Sequence, residues 1–205
     1  MKRVVILSLM MAASLGTVWA QSPDSSAWSG SAEGMFYYFQ GGETIFLPVL
    51  RVDYNKLHLE ARYNYEDVET VSGWIGYNLE GGDKLNYSFT PMVGVAGGLT
   101  KGVAAGLEFT VSMGKFELYS ESEYLLDRAG SEYNFFYSWT DLTYSPRDWW
   151  WIGISGQRTR LYQTEVEIQH GLVLGAAKGS WEFSGYLYNP ELSEPFFLFD
   201  VTFSF

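Results

Sequence analysis

Five charged residues at alternate positions, Arg51 and Asp53 followed by His58, Glu60 and Arg62, are the first candidates for chemistry in this 205-residue chain. A spacing of two puts each set on one face of an extended strand, so all five share one space if the segments pair across Asn55-Lys56. A second set, Glu117, Glu121 and Glu123 together with Glu165 and Glu167, is purely acidic and has no base near it in sequence. The first set suits a ladder of salt bridges, with Arg51, Arg62 and Arg158 or Arg160 paired to carboxylates on neighbouring strands. The second suits an open acidic wall, which lowers the energy of a cation beside it. A weak Ca²⁺ site is the alternative reading there; no metal or cofactor is assigned. Nucleophilic catalysis has little to work with, because the chain has no cysteine and two histidines. Two residues beyond His58 stands Glu60, and two beyond His170 stands Leu172, so neither imidazole has a hydroxyl at that spacing.

The elements that carry these residues are strands. With 24 Asp+Glu against 13 Lys+Arg, the chain lacks the basic surplus of a nucleic-acid binder. Hydrophobics at 47% exclude an acidic disordered tail. Lys2 and Arg3, the apolar run Val4 to Leu15 and the exit Val18-Trp19-Ala20 have the three-part form of a secretory signal peptide, with cleavage expected after Ala20. Its removal takes the formal charge from −11 to −13. Residues 21–30 read as a short leader and 31–205 as one domain.

Beyond residue 20 no apolar stretch is long enough for a membrane helix, and apolar residues recur with period two. Leu57 to Glu66 sets Leu, Leu, Ala, Tyr and Tyr against His, Glu, Arg, Asn and Glu. The pattern predicts an all-β fold, a transmembrane antiparallel up-and-down β-barrel of about twelve strands, ten being the nearest other number. The strands are expected at 31–40, 45–54, 57–66, 69–80, 84–95, 102–113, 115–126, 132–145, 149–158, 163–177, 180–189 and 196–205. With the apolar set outward, Glu108, Asp141, Glu182 and Asp200 join the charged residues above on the inside. His170 then faces lipid among Ile168, Leu172 and Leu174, unless a bulge at Gly171 turns it inward or a helper side chain holds it neutral. Aromatic residues crowd the strand ends, as in Phe36 to Phe39, Tyr133 to Tyr137 and Trp149 to Trp151, and predict two outer girdles at the bilayer interfaces.

The last strand, Phe197 to Phe205, alternates strictly and places Phe197, Phe199, Val201, Phe203 and Phe205 on one face. This ending resembles the C-terminal assembly signal of Gram-negative outer-membrane β-barrel proteins. The resemblance implies an outer-membrane location, an even strand number, periplasmic termini, insertion by the barrel-assembly machinery and contact with outer-membrane lipids. Some barrels of this kind are lipases that need a His with a Ser two residues on, which His58 and His170 both lack. The expectation is therefore a non-enzymatic, porin-like channel for small neutral or cationic solutes with an acidic lumen. A closed structural or adhesive barrel with a salt-bridged lumen is the alternative, and a lipid-modifying hydrolase the third.

Overall fold

The computed structural model describes residues 28–42, 44–158, 168–192 and 194–205. The expected signal peptide, residues 21–27 of the leader, Arg160, Glu165 and Glu167 lie outside these. The strands are β1 (Trp28–Tyr38), β2 (Thr44–Tyr54), β3 (Leu57–Tyr63), β4 (Val71–Tyr77), β5 (Leu79–Gly82), β6 (Asn86–Gly97) and β7 (Gly102–Met113). They continue as β8 (Phe116–Asp127), β9 (Phe135–Arg147), β10 (Trp150–Arg158), β11 (Ile168–Lys178), β12 (Trp181–Tyr188) and β13 (Phe196–Ser204). Strand β3 shows the rule that organises them: Leu57, Leu59, Ala61 and Tyr63 are exposed while His58, Glu60 and Arg62 are buried. That arrangement is inside out for a protein surrounded by water and suits one surrounded by lipid.

Each strand pairs antiparallel with its neighbours, and β1 closes on β13 from Ser31↔Ser204 to Tyr38↔Phe197. Strand β5 continues β4 along β6 in one register, Gly76↔Met92 then Leu79↔Phe89, so the thirteen strands form twelve walls. Among the described residues every strand but the short β5 is paired on both sides, the condition for crossing hydrocarbon with strands. At the end that carries both termini the connections are short. Three are two-residue turns whose first residues, Asn55, Gly114 and Gly179, have φ of 53°, 64° and 64°. Hairpin turns need this left-handed backbone, and Asn and Gly reach it at least cost. At the opposite end, called the far end below, the segment 64–70 folds back so that Tyr65 and Glu66 are buried. Strand β3 therefore stops at Tyr63, short of the expected residue 66, where Asn64 turns with φ 59° and accepts the Glu69 amide at 2.8 Å. A 3₁₀ turn at Ser131–Tyr133 likewise delays β9 to Phe135.

Exposed aromatic residues gather beside the terminal end, where Trp28 lies tilted against Tyr54 at 4.5 Å and Phe116 against Tyr144 at 5.0 Å. Many rings, however, fill the inside, which corrects the expectation that they belong to the interfaces. Tyr37, Tyr188 and Phe196 pack with Met35, Leu47 and Leu198 into an apolar core within the far half of the barrel. A twelve-walled barrel is too wide for short side chains to fill, and large rings close that space. Glycines make room for two of them: a Cβ on Gly94 would lie 2.4 Å from the Trp74 ring, and one on Gly175 would lie 2.1 Å from that of Trp151. Gly94→Leu is accordingly expected to overpack the inside at a cost of about 1–3 kcal/mol. Gly185→Leu, on the outer face where nothing lies within 4 Å, should leave the denaturation midpoint almost unchanged. Equal midpoints for the two variants would contradict this packing.

Candidate functional site

Strands β2 and β3 pair Asp53 with His58 and Arg51 with Glu60, so the alternation brings the expected ladder together on one inner wall. Arg51 is its hub. Its side chain is 3% exposed, it contacts Glu33 on β1 and Glu60 on β3, and its Nη2 lies 3.9 Å from Glu108 on β7. Arg62 donates to Glu60 at 2.5 Å and reaches across the interior to Glu123 on β8 at 3.2 Å. Its guanidinium is held between the rings of Tyr65 and Trp74, at 4.5 and 4.8 Å. Asp53 accepts hydrogen bonds from Asn78 at 2.6 Å and from the His58 ring at 2.8 Å. Burial in a low-dielectric interior makes these contacts interdependent, because Glu33, Glu60 and Glu123 depend on an arginine for their compensation.

The expected acidic wall divides into three environments. Glu123 takes Arg62 as its base, a partner 61 residues away that local sequence does not reveal. Glu121 accepts the Tyr119 hydroxyl at 2.8 Å. Glu117 lines a cavity of about 20 Å³ on the terminal side, together with Asp141, Glu182 and Asp200. Two further interior cavities are about 10 Å³ each. Glu33 and Glu66 are buried functional candidates that the sequence reading missed. Glu66 accepts from Ser72 at 2.5 Å and from the Trp74 indole at 3.1 Å.

The Arg158 assignment changes, and that of His170 does not. Arg158 is exposed and lies 5.6 Å over the Phe136 ring, so it faces outward and takes no part in the ladder. The simple alternation of β10, with Ser155 and Gln157 inside, puts it there. His170 does face outward, and the β10–β11 register runs unbroken from Trp150↔Ala176 to Arg158↔Ile168, so no bulge forms at Gly171. Its helper is Glu191, which its Nε2 contacts at the far rim.

His58, Glu60 and Glu108 place potential ligand atoms within 4.8 Å of one another. Both Glu60 oxygens are already engaged by Arg51 and Arg62, and the two guanidinium groups lie 3.9 and 3.8 Å from Glu108. A metal ion there would face two fixed positive charges, so this donor set is committed to arginine. A concavity of about 850 Å³ is on the outside across β10–β13 and is lined by outward-facing side chains such as Ile152, Leu174 and Phe199.

A closed antiparallel barrel, apolar outside and ionised within, has the fold of a transmembrane β-barrel. Among solved structures it is similar to a KdgM porin, with a TM-score of 0.59 and 12% identity over 85% of this chain and 99% of that one. It is also similar to a KdgM porin in complex with disordered oligogalacturonate, with a TM-score of 0.56 and 11% identity over 86% and 99% of the two chains. At such identities the likeness is one of fold. No protein-family model matches the sequence, and no curated protein matches it.

Proposed function

We propose that the protein is an outer-membrane, porin-like barrel that passes small cations and water-sized neutral solutes. In this reading it is exported with cleavage after Ala20 and inserted by the barrel-assembly machinery, with Phe197, Phe199, Val201, Phe203 and Phe205 as the signal. The observation that carries the proposal is the interior charge: among the described residues, carboxylates on eight strands face inward, against two arginines and one histidine. Such a lining favours a permeating cation and disfavours an anion. Oligogalacturonate, bound by a KdgM porin, is a polyanion and suits this interior poorly. The small cavities further argue against passage of sugars. No catalytic role is assigned to either histidine.

Purified protein in planar bilayers is expected to give small, cation-selective conductance and, in liposome-swelling assays, no sugar uptake. Conversion of Glu117, Glu121 and Glu123 to Lys should lower that selectivity. Absence of any conductance would instead favour a second reading, a closed structural barrel. One observation supports that reading: the apolar core around Tyr37, Tyr188 and Phe196 fills the far half of the interior.

A further inference from the structure

The apolar groove of about 850 Å³ on the outer face of β10–β13 runs from Trp149 and Trp150 at the terminal rim to Leu187 and Phe197 beside the far rim. Gly185 forms its floor. The register sets this glycine between Leu174 of β11 and Phe199 of β13, with Phe183 and Leu187 before and after it on the same face of β12. A Cβ on Gly185 would meet nothing within 4 Å, so one missing side chain among four large ones leaves a dent. The volume falls within the range of pockets that hold small ligands, about 300–1,000 Å³.

The terminal mouth of the groove is basic. Each of the five hairpin connections at that end carries one exposed base: Lys56, Lys84, Lys115, Arg147 and Lys178. Three of them gather at the groove. Arg147 of β9 pairs with Trp150, which pairs in turn with Ala176, so Arg147 lies two strand spacings, about 10 Å, from the end of β11. Lys178 is the last residue of β11, and its neighbour Ala177 donates to the Trp149 carbonyl at 2.9 Å. Lys115 donates from Nζ to the carbonyl of Pro146, beside Arg147, at 2.9 Å. Asp148 is the acid among them. At the opposite end of the groove the connection from β12 to β13 instead carries Glu191 and Glu194, both exposed. Trp149 and Trp181, 61% and 47% exposed, flank the basic mouth, and indoles in such positions sit at the level of lipid headgroups. An apolar trough with bases at one end and acids at the other matches an apolar chain that ends in an anion. A second copy fits it poorly, because two barrels joined groove to groove about an axis along the membrane normal would bring the same three bases together.

We propose that this groove binds an anionic phospholipid of the leaflet at the terminal end. Its phosphate lies among Lys115, Arg147 and Lys178, and one acyl chain lies in the dent over Gly185. The site rests on the reading of the barrel as spanning a bilayer and not on whether it conducts. Among the described residues Trp28, Trp149, Trp150 and Trp181 face outward, all at this rim, while Trp74, Trp139 and Trp151 are buried, so lipid-borne quenchers report on the rim. With the full barrel in phosphatidylcholine vesicles, phosphatidylglycerol with brominated acyl chains is expected to quench tryptophan fluorescence at about tenfold lower mole fraction than brominated phosphatidylcholine. Each base near a membrane surface contributes about fivefold to the attraction of an anionic lipid. The double variant Arg147→Gln with Lys178→Gln, and the single variant Gly185→Leu, should therefore each bring the two lipids to within about twofold. Lys84→Gln, at the β5–β6 turn away from the groove, should leave the preference as it is. Circular dichroism identifies folded variants, and Gly185→Leu carries the test if the double variant fails to fold. Equal quenching by the two lipids in the wild-type barrel would overturn the site. A preference that Gly185→Leu leaves unchanged would also overturn it, as attraction to the rim without the groove. A dimer in sedimentation that Gly185→Leu dissociates would assign the groove to a second copy and overturn the lipid. A barrel that conducts without lipid preference loses the site alone, and one with the preference but no conductance loses the passage alone.

Discussion

Arg51→Ala is expected to destabilise the barrel by about 3–5 kcal/mol, the cost of removing one partner from a buried ion cluster. Arg51 touches Glu33 and Glu60 and lies 3.9 Å from Glu108, so its loss leaves three inward carboxylates facing one another with Arg62 as their remaining guanidinium. Water reaches them poorly, since the Glu33 and Glu60 side chains are 3% and 0% exposed. Much of the loss is the penalty of stranded charge, not the worth of the pair itself. The double variant Arg51→Met with Glu60→Gln should therefore recover a large part of the stability, although it removes more polar contacts than the single one. Denaturant unfolding of the refolded barrel, with exposed Lys178→Ala as control, measures both. A loss below about 1 kcal/mol for Arg51→Ala, the range of solvent-exposed pairs, would mean that water screens the cluster in the folded barrel.

The same cluster marks how far the sequence could be read. Strand number, closure and the inner face of β3 follow from period two, because every second residue of a barrel strand meets one medium. Glu33 was invisible by that route. Ser29, Gly30, Ser31, Ala32 and Gly34 around it are neither clearly apolar nor clearly polar, so β1 carries little alternation until Met35. The contact of Arg62 with Glu123 depends on which walls face each other across the interior, which local pattern does not encode. Inward rings escape the pattern for a related reason. Residue type sends apolar side chains to the lipid face, whereas Tyr37, Trp139 and Tyr188 occupy the polar parity because they fill volume and hydrogen-bond neighbours, as Trp139 does to Asp141. Where the inside is packed instead of wet, parity still gives direction, and residue type no longer does.

Val93→Arg is expected to cost about 2–4 kcal/mol in a lipid bilayer, and Val103→Arg about 0–1, because the penalty for a lipid-facing charge is greatest at the bilayer midplane. Val93 is 59% exposed and sits midway along β6, paired with Ile75 on one side and Ala105 on the other. Val103 is 54% exposed, but it is the second residue of β7, beside the far-end turn, where an arginine can extend its head group to the interface. Solvent exposure alone would rank the two alike. In water both substitutions would be nearly neutral, as surface changes away from special features usually are. The difference between them thus reports the surrounding medium, independently of any activity. Unfolding of each variant from phospholipid vesicles, compared with the wild-type barrel, gives the two costs directly. Equal and small costs would remove the bilayer from the account of the outer face, and with it the reason for a strand that hides His58, Glu60 and Arg62 while it exposes Leu57 and Leu59.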